Sequence, residues 1–86
     1  MSNINEKALI EIFKSVLSIT AEAEIVKAEF GATDGWDSFS HMSLVIEIEE
    51  RLLRRSIPSA DIPKLLAFSS ILQYIDREFE RLPYER

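Results

Sequence analysis

Ser38-Phe39-Ser40-His41-Met42-Ser43-Leu44-Val45-Ile46-Glu47-Ile48-Glu49-Glu50-Arg51-Leu52-Leu53-Arg54 is the stretch from which the rest of the chain is ordered. Ser40, Ser43, Glu47, Glu50 and Arg54 recur at alternating three- and four-residue steps and form one polar stripe. Phe39, Met42, Val45, Ile46, Ile48, Leu52 and Leu53 cover most of the remaining circumference. A helix apolar over so much of its surface packs against several neighbours, so the spacing predicts a central helix over 38–54. Serine is a preferred N-cap residue. The reading therefore puts Ser38 at the cap, beside the partial positive end of the helix dipole, where free N–H groups favour an anion.

Upstream lies a long connection, 18–37, in which Thr20-Ala21-Glu22-Ala23-Glu24 is a possible helical turn. Both glycines, Gly31 and Gly35, fall within it, which concentrates the cheap positive-φ positions there. A connection this long is usually functional or tied down by its own side chains, and Ile25, Val26, Phe30 and Trp36 are the expected ties. Before it, a first helix capped by Asn3 or Asn5 runs to about Leu17, with Leu9, Ile12, Phe13, Val16 and Leu17 on one face. Glu6, Lys7, Glu11 and Lys14 take the other side.

Downstream, Pro58 and Pro63 bracket a short helical segment that Ser59 can cap, with Ile62, Leu65 and Leu66 facing inward. Ser69 or Ser70 caps a last helix with Ile71, Leu72, Ile75, Phe79 and Leu82 on one face, ending before Pro83. The expected fold is all-α: a four-helix bundle with three longer helices, one short helix and a long first loop, forming one domain over 1–86.

Composition bounds the chemistry. Eighty-six residues with 47% hydrophobic content can pack a core and are not those of a disordered chain. There is no cysteine and a single histidine, so neither a disulfide nor a cysteine–histidine metal site can form, and thiol chemistry would need a sulfur brought by a cofactor. Fifteen acids against ten bases, a formal charge of −5, disfavour nucleic acid or an anionic membrane as partner and favour proteins with basic docking faces. No apolar run has the length of a membrane span, and Met1-Ser2-Asn3-Ile4-Asn5-Glu6 lacks a basic leader. The expectation is a soluble, cytoplasmic monomer.

Gly35-Trp36-Asp37-Ser38-Phe39, placed at a helix start after a long loop, and the downstream run Leu44-Val45-Ile46-Glu47-Ile48-Glu49-Glu50 resemble the acyl carrier proteins. That family is a small acidic four-helix bundle whose Asp-Ser dipeptide, followed by a large apolar residue, opens the second helix. The likeness covers nearly the whole chain in length, helix order and loop placement. It implies that a phosphopantetheinyl transferase esterifies Ser38 with 4′-phosphopantetheine from coenzyme A. The terminal thiol of that arm then carries acyl groups as thioesters. It implies that Asp37 helps present the serine, and that the chain itself is not an enzyme. A ligase or synthetase would load an acyl or aminoacyl group, and downstream transferases or synthases would receive it, as in fatty-acid, polyketide or aminoacyl/peptidyl assembly.

For docking, the family uses apolar residues just after the serine and acids along the second helix. On this chain these are Phe39, Met42, Glu47, Glu49 and Glu50. The first two turns here carry Ser40 and Ser43 where many members have acids, a departure that leans slightly toward a specialised pathway. Two i,i+4 pairs, Glu47 with Arg51 and Glu50 with Arg54, are expected along the helix. His41 reads as a partly exposed histidine near the arm, able to titrate near neutral pH, with no catalytic partner. Trp36 reads as a loop anchor. The competing reading, from a different class, is a helical protein-interaction module in which Ser38 is a plain cap. A third, a hydrolase built on Ser38 and His41, lacks an orienting acid and oxyanion donors.

Overall fold

The computed structural model describes residues 3–81. Four α-helices form: α1 over Asn3–Leu17, α2 over Glu22–Ile25, α3 over Ser38–Ile48 and α4 over Phe68–Arg81. A π-helical turn, Glu49–Leu53, continues α3, and a 3-10 turn spans Ile62–Lys64. Among the described residues there is no strand, only an isolated antiparallel bridge between Glu29 and Ala67. The fold is all-α, and no helix among the described residues is long and apolar enough to cross a membrane.

The core follows the expected stripes of α1 and α3. Leu9, Ile12, Phe13 and Leu17 of α1 meet Leu44, Val45 and Ile48 of α3, and Phe68, Ile71 and Ile75 of α4 close the other side. Each such side chain contributes roughly 1.5–3 kcal/mol when fully withdrawn from water. Phe13 sits at the middle of an aromatic chain, edge-on to Trp36 and to Phe68 with ring centroids 5.2 Å apart in both cases. Of the expected loop ties, Ile25 and Trp36 are buried and Phe30 packs against the core. Val26 instead stays exposed. Leu66 and Phe79, expected to face inward, are also on the surface.

The ends of elements differ from expectation in instructive ways. Asn5 lies inside α1 and not at its cap, and its amide donates to Asp76 Oδ1 at 3.0 Å. The segment after Pro58 forms only three residues of 3-10 helix, because Pro63 sits within it and withholds an N–H. Helix α4 begins at Phe68, before either serine proposed as its cap. The backbone explains this: Phe30 N–H bonds to Leu66 O at 2.9 Å and Phe68 N–H to Ala28 O at 3.0 Å, which orders the start of the helix from outside. The proposed helix end before Pro83 and the inward position of Leu82 lie outside the described residues. Ser18 and Arg54 close α1 and the π-turn in the left-handed region, at φ 60° and 57°. Arg54 in that conformation does not pair with Glu50, whereas Arg51 does reach Glu47 at 3.2 Å.

Candidate functional site

The junction between the long loop and α3 is built by a cap, a buried aromatic pair and a glycine turn. Gly35 adopts φ 89°, a conformation that side chains rarely take. Trp36 follows, 1% exposed, and then the chain emerges at Asp37. Asp37, not Ser38, is the N-cap: its backbone is extended and its Oδ1 accepts the Ser40 N–H at 3.0 Å. Its carbonyl accepts the His41 N–H at 2.8 Å, the first bond of the helix. Ser38 is therefore the first helical residue and is exposed. Both residue types are good caps, and here the carboxylate takes the position that sequence reading gave to the hydroxyl.

That exchange alters the electrostatics. The Ser40 amide, with the Ser40 hydroxyl and the Phe39 amide adding to it, holds the Asp37 carboxyl below the usual carboxylate range against a lesser desolvation effect. A negative charge is thus already seated at the helix N-terminus, where the dipole favours it. The Ser38 side chain is left at the surface beside that carboxylate.

The sequence-proposed docking residues divide into two groups. Phe39 is 81% exposed and Met42 48%, and Ile46, also on the surface, continues the same face at i, i+3, i+7. Glu50 is exposed, and Glu47 is partly exposed and engaged with Arg51. Glu49 is turned inward: its Oε2 accepts the Ile57 N–H at 2.8 Å and so ties the segment after the π-turn. Arg55 forms an ion pair with the buried Glu78 of α4 close by.

His41 is the largest departure. It is buried, not partly exposed, and its Nδ1 accepts the Trp36 indole N–H at 3.0 Å. An indole nitrogen can only donate, so Nδ1 carries the lone pair and Nε2 carries the proton of the neutral ring. That Nε2 is buried with no well-formed hydrogen bond. Burial pushes the imidazole below its usual range, and the nearby Ile62 carbonyl offsets this only in part. Phe30 packs against the same ring, with centroids 5.3 Å apart. The signal was present in the sequence, because His41 shares the i, i+3, i+4, i+7 stripe of Leu44, Val45 and Ile48.

Elsewhere, an open groove of about 600 Å³ between α1 and α2 is lined by Ile4, Glu6, Lys7, Ile10, Glu22, Ala23 and Val26 and shares no residue with this junction. Among the described residues no group of three or more histidine, cysteine or acidic side chains could hold a metal ion. Compared with models of known protein families, with curated proteins and with solved structures, the chain matches none.

Proposed function

We propose that this chain is a carrier protein, not itself an enzyme, that bears 4′-phosphopantetheine on Ser38. The observation that supports the reading is an exposed serine at the first position of α3, held there by a neighbouring carboxylate cap. A tether point needs access for a second enzyme, a rigid base and freedom for the attached arm. Ser38 has the first by exposure and the second from the Asp37 cap behind it. The helix dipole would favour a phosphodiester at this end, while the adjacent Asp37 carboxylate would oppose it. No general base is required of the chain, since the transferase would deprotonate the hydroxyl. When attached, the arm would supply a thiol for thioester formation, which a chain without cysteine cannot.

The proposed partners are a phosphopantetheinyl transferase, a loading ligase or synthetase, and downstream acyl-accepting enzymes. The exposed Phe39, Met42 and Ile46 beside Ser38 form an apolar strip that such partners would cover, flanked by Glu47 and Glu50. The same strip is what favours the second reading, an interaction module without any arm.

The two are separated by mass spectrometry of the intact protein incubated with coenzyme A, magnesium and a broad-specificity transferase. Wild type should gain the mass of one phosphopantetheinyl group and Ser38→Ala none. A folded wild type that gains nothing refutes the carrier reading and leaves the interaction module.

A further inference from the structure

The imidazole of His41 is the point at which the long loop is fastened to α3. Two hydrogen bonds, Phe30 N–H to Leu66 O and Phe68 N–H to Ala28 O, hold the beginning of the segment 29–37. Between these and Trp36 the chain is mostly exposed, and Gly31 has nothing within 4 Å of where a Cβ would stand. At the far end the Trp36 indole N–H bonds to His41 Nδ1, and the two rings lie 5.9 Å apart and tilted by 31°. Residues 31–35 bury little and rest on surface backbone bonds, which places them at the low end of local stability, so the seating of Trp36 against Phe13 and His41 is what holds the segment down.

We propose that protonation of His41 unfastens the segment 31–37 from α3 while the bundle of α1, α3 and α4 stays folded. A proton added to Nδ1 sets one N–H against another across the 3.0 Å that now holds a hydrogen bond. It also leaves a cation in a buried site that lacks any compensating charge. What faces the ring is uncharged on each side: Phe30 and Trp36 from the loop and the Ile62 carbonyl from the 3-10 turn. The carboxylates nearest in sequence are committed elsewhere. Asp37, one turn earlier on the same helix, caps Ser40. Asp61, beside Ile62, accepts from Tyr74 Oη at 3.0 Å and lies 3.7 Å from Lys64 Nζ.

The linkage has one sign. The folded-state pKa lies below the ordinary 6.5, so the unfolded or unfastened chain takes up the proton first. The stability of the fastened form is complete above that value and declines as pH falls from 6.5 through the lowered pKa. Glycines at 31 and 35 supply hinges of positive φ on which the segment can move. Because Trp36 and Asp37 lead directly into Ser38, unfastening also changes the approach to that hydroxyl. This last consequence rests on the carrier reading, whereas the unfastening does not.

Trp36 is the only tryptophan and His41 the only histidine, so indole emission and imidazole resonances report on this pair alone. The experiment is a titration of the intact protein from about pH 8 to about pH 4, spanning the histidine range. Tryptophan emission, acrylamide quenching and far-UV circular dichroism are read together. The expected result is a red shift and increased quenching with a midpoint below 6.5, at unchanged helical dichroism. In His41→Gln, whose amide oxygen can still accept the indole N–H but does not titrate, the emission should stay constant over the same interval. Emission that changes only together with the dichroism, or an identical titration in His41→Gln, overturns the proposal. Should that variant not fold, proton NMR of the wild type decides: the indole N–H resonance must be lost in step with the imidazole C–H shift, and its persistence through that shift overturns the proposal.

A second arm measures transfer to Ser38 in wild type and His41→Gln across the same range. The ratio of the two rates should fall on acidification. Transfer at every pH with a silent titration refutes the latch alone, and a clear titration with no transfer at any pH refutes the carrier reading alone.

Discussion

A double-mutant cycle on Trp36 and His41 tests whether their bond organises the loop–helix junction. Trp36 is 1% exposed and His41 8%, and the indole N–H to Nδ1 distance is 3.0 Å, so water compensates neither partner when the other is removed. Trp36→Phe keeps an aromatic ring against Phe13 but strands Nδ1 as a buried acceptor, at about 1–3 kcal/mol, with about 1 kcal/mol more for lost volume. His41→Leu strands the indole N–H at a similar cost of about 1–3 kcal/mol. In the double variant no polar atom of the pair remains, so the unsatisfied-group penalties vanish together. Those penalties come to about 2–6 kcal/mol together, so after subtracting the bond's own net worth of about 1 kcal/mol the double variant should be about 1–5 kcal/mol more stable than the sum of the single effects predicts. Total stability for 86 residues is about 4–13 kcal/mol, so each effect is a large fraction of it and reads clearly in a denaturation midpoint. The assay is urea denaturation followed by far-UV circular dichroism at a pH well above the histidine titration. Effects that add within about 0.5 kcal/mol refute the reasoning, because they would mean that the bond carries no specific coupling.

Other perturbations have outcomes that the same geometry fixes. Arg54→Gly should stabilise by about 0.5–1 kcal/mol in thermal melting, since a non-glycine residue closes the π-turn in the left-handed region; an unchanged or lowered melting temperature contradicts that account. Phe39→Ser should change stability by less than about 0.5 kcal/mol, because the ring is 81% exposed, and a larger loss in urea denaturation would mean that it packs on the bundle. Asp37→Asn retains a capping side chain but not its charge. The folded Asp37 carboxyl lies below its ordinary 3.8, so its contribution is present above that value and is lost as pH falls through the lowered pKa. The acid limb of a stability–pH curve should be shallower in this variant, and identical limbs would show that the charge does not contribute.

How much of this was legible in the sequence depends on which force decided each feature. Helix α1 and the central helix are set by apolar periodicity, and their buried faces match the spacing of Leu9, Ile12 and Phe13 and of Leu44, Val45 and Ile48. The start of α4 was not legible, because it is fixed by backbone bonds from Ala28 and Phe30, residues remote in sequence. The short helix after Pro58 shrank to a 3-10 turn for a local reason, the proline within it. Neither Ser18 nor Arg54 has the composition of a left-handed helix end, so both terminations were hidden from composition. Glu49 looked like its neighbour Glu50, and only the π-turn and the amide of Ile57 distinguish the two.

At the candidate site the difficulty was competition between equals. Asp37 and Ser38 are both capping residues in adjacent positions, and local preference cannot rank them. The structure ranks them through what precedes: Gly35 turns the chain and Trp36 is drawn inward against Phe13 and His41. With Trp36 seated, Asp37 is the residue whose carboxylate reaches forward over the first turn to the Ser40 N–H, and Ser38 is displaced onto the helix as an exposed residue. An aromatic residue two positions earlier thus determines which of two polar side chains is consumed by the helix and which is exposed. By this logic Trp36 and His41 act on residue 38 without touching it, so replacing either should alter reactivity at Ser38 while leaving its hydroxyl in place. Chemical or enzymatic modification of Ser38 that is indifferent to both substitutions would show that the Asp37 cap alone sets the exposure.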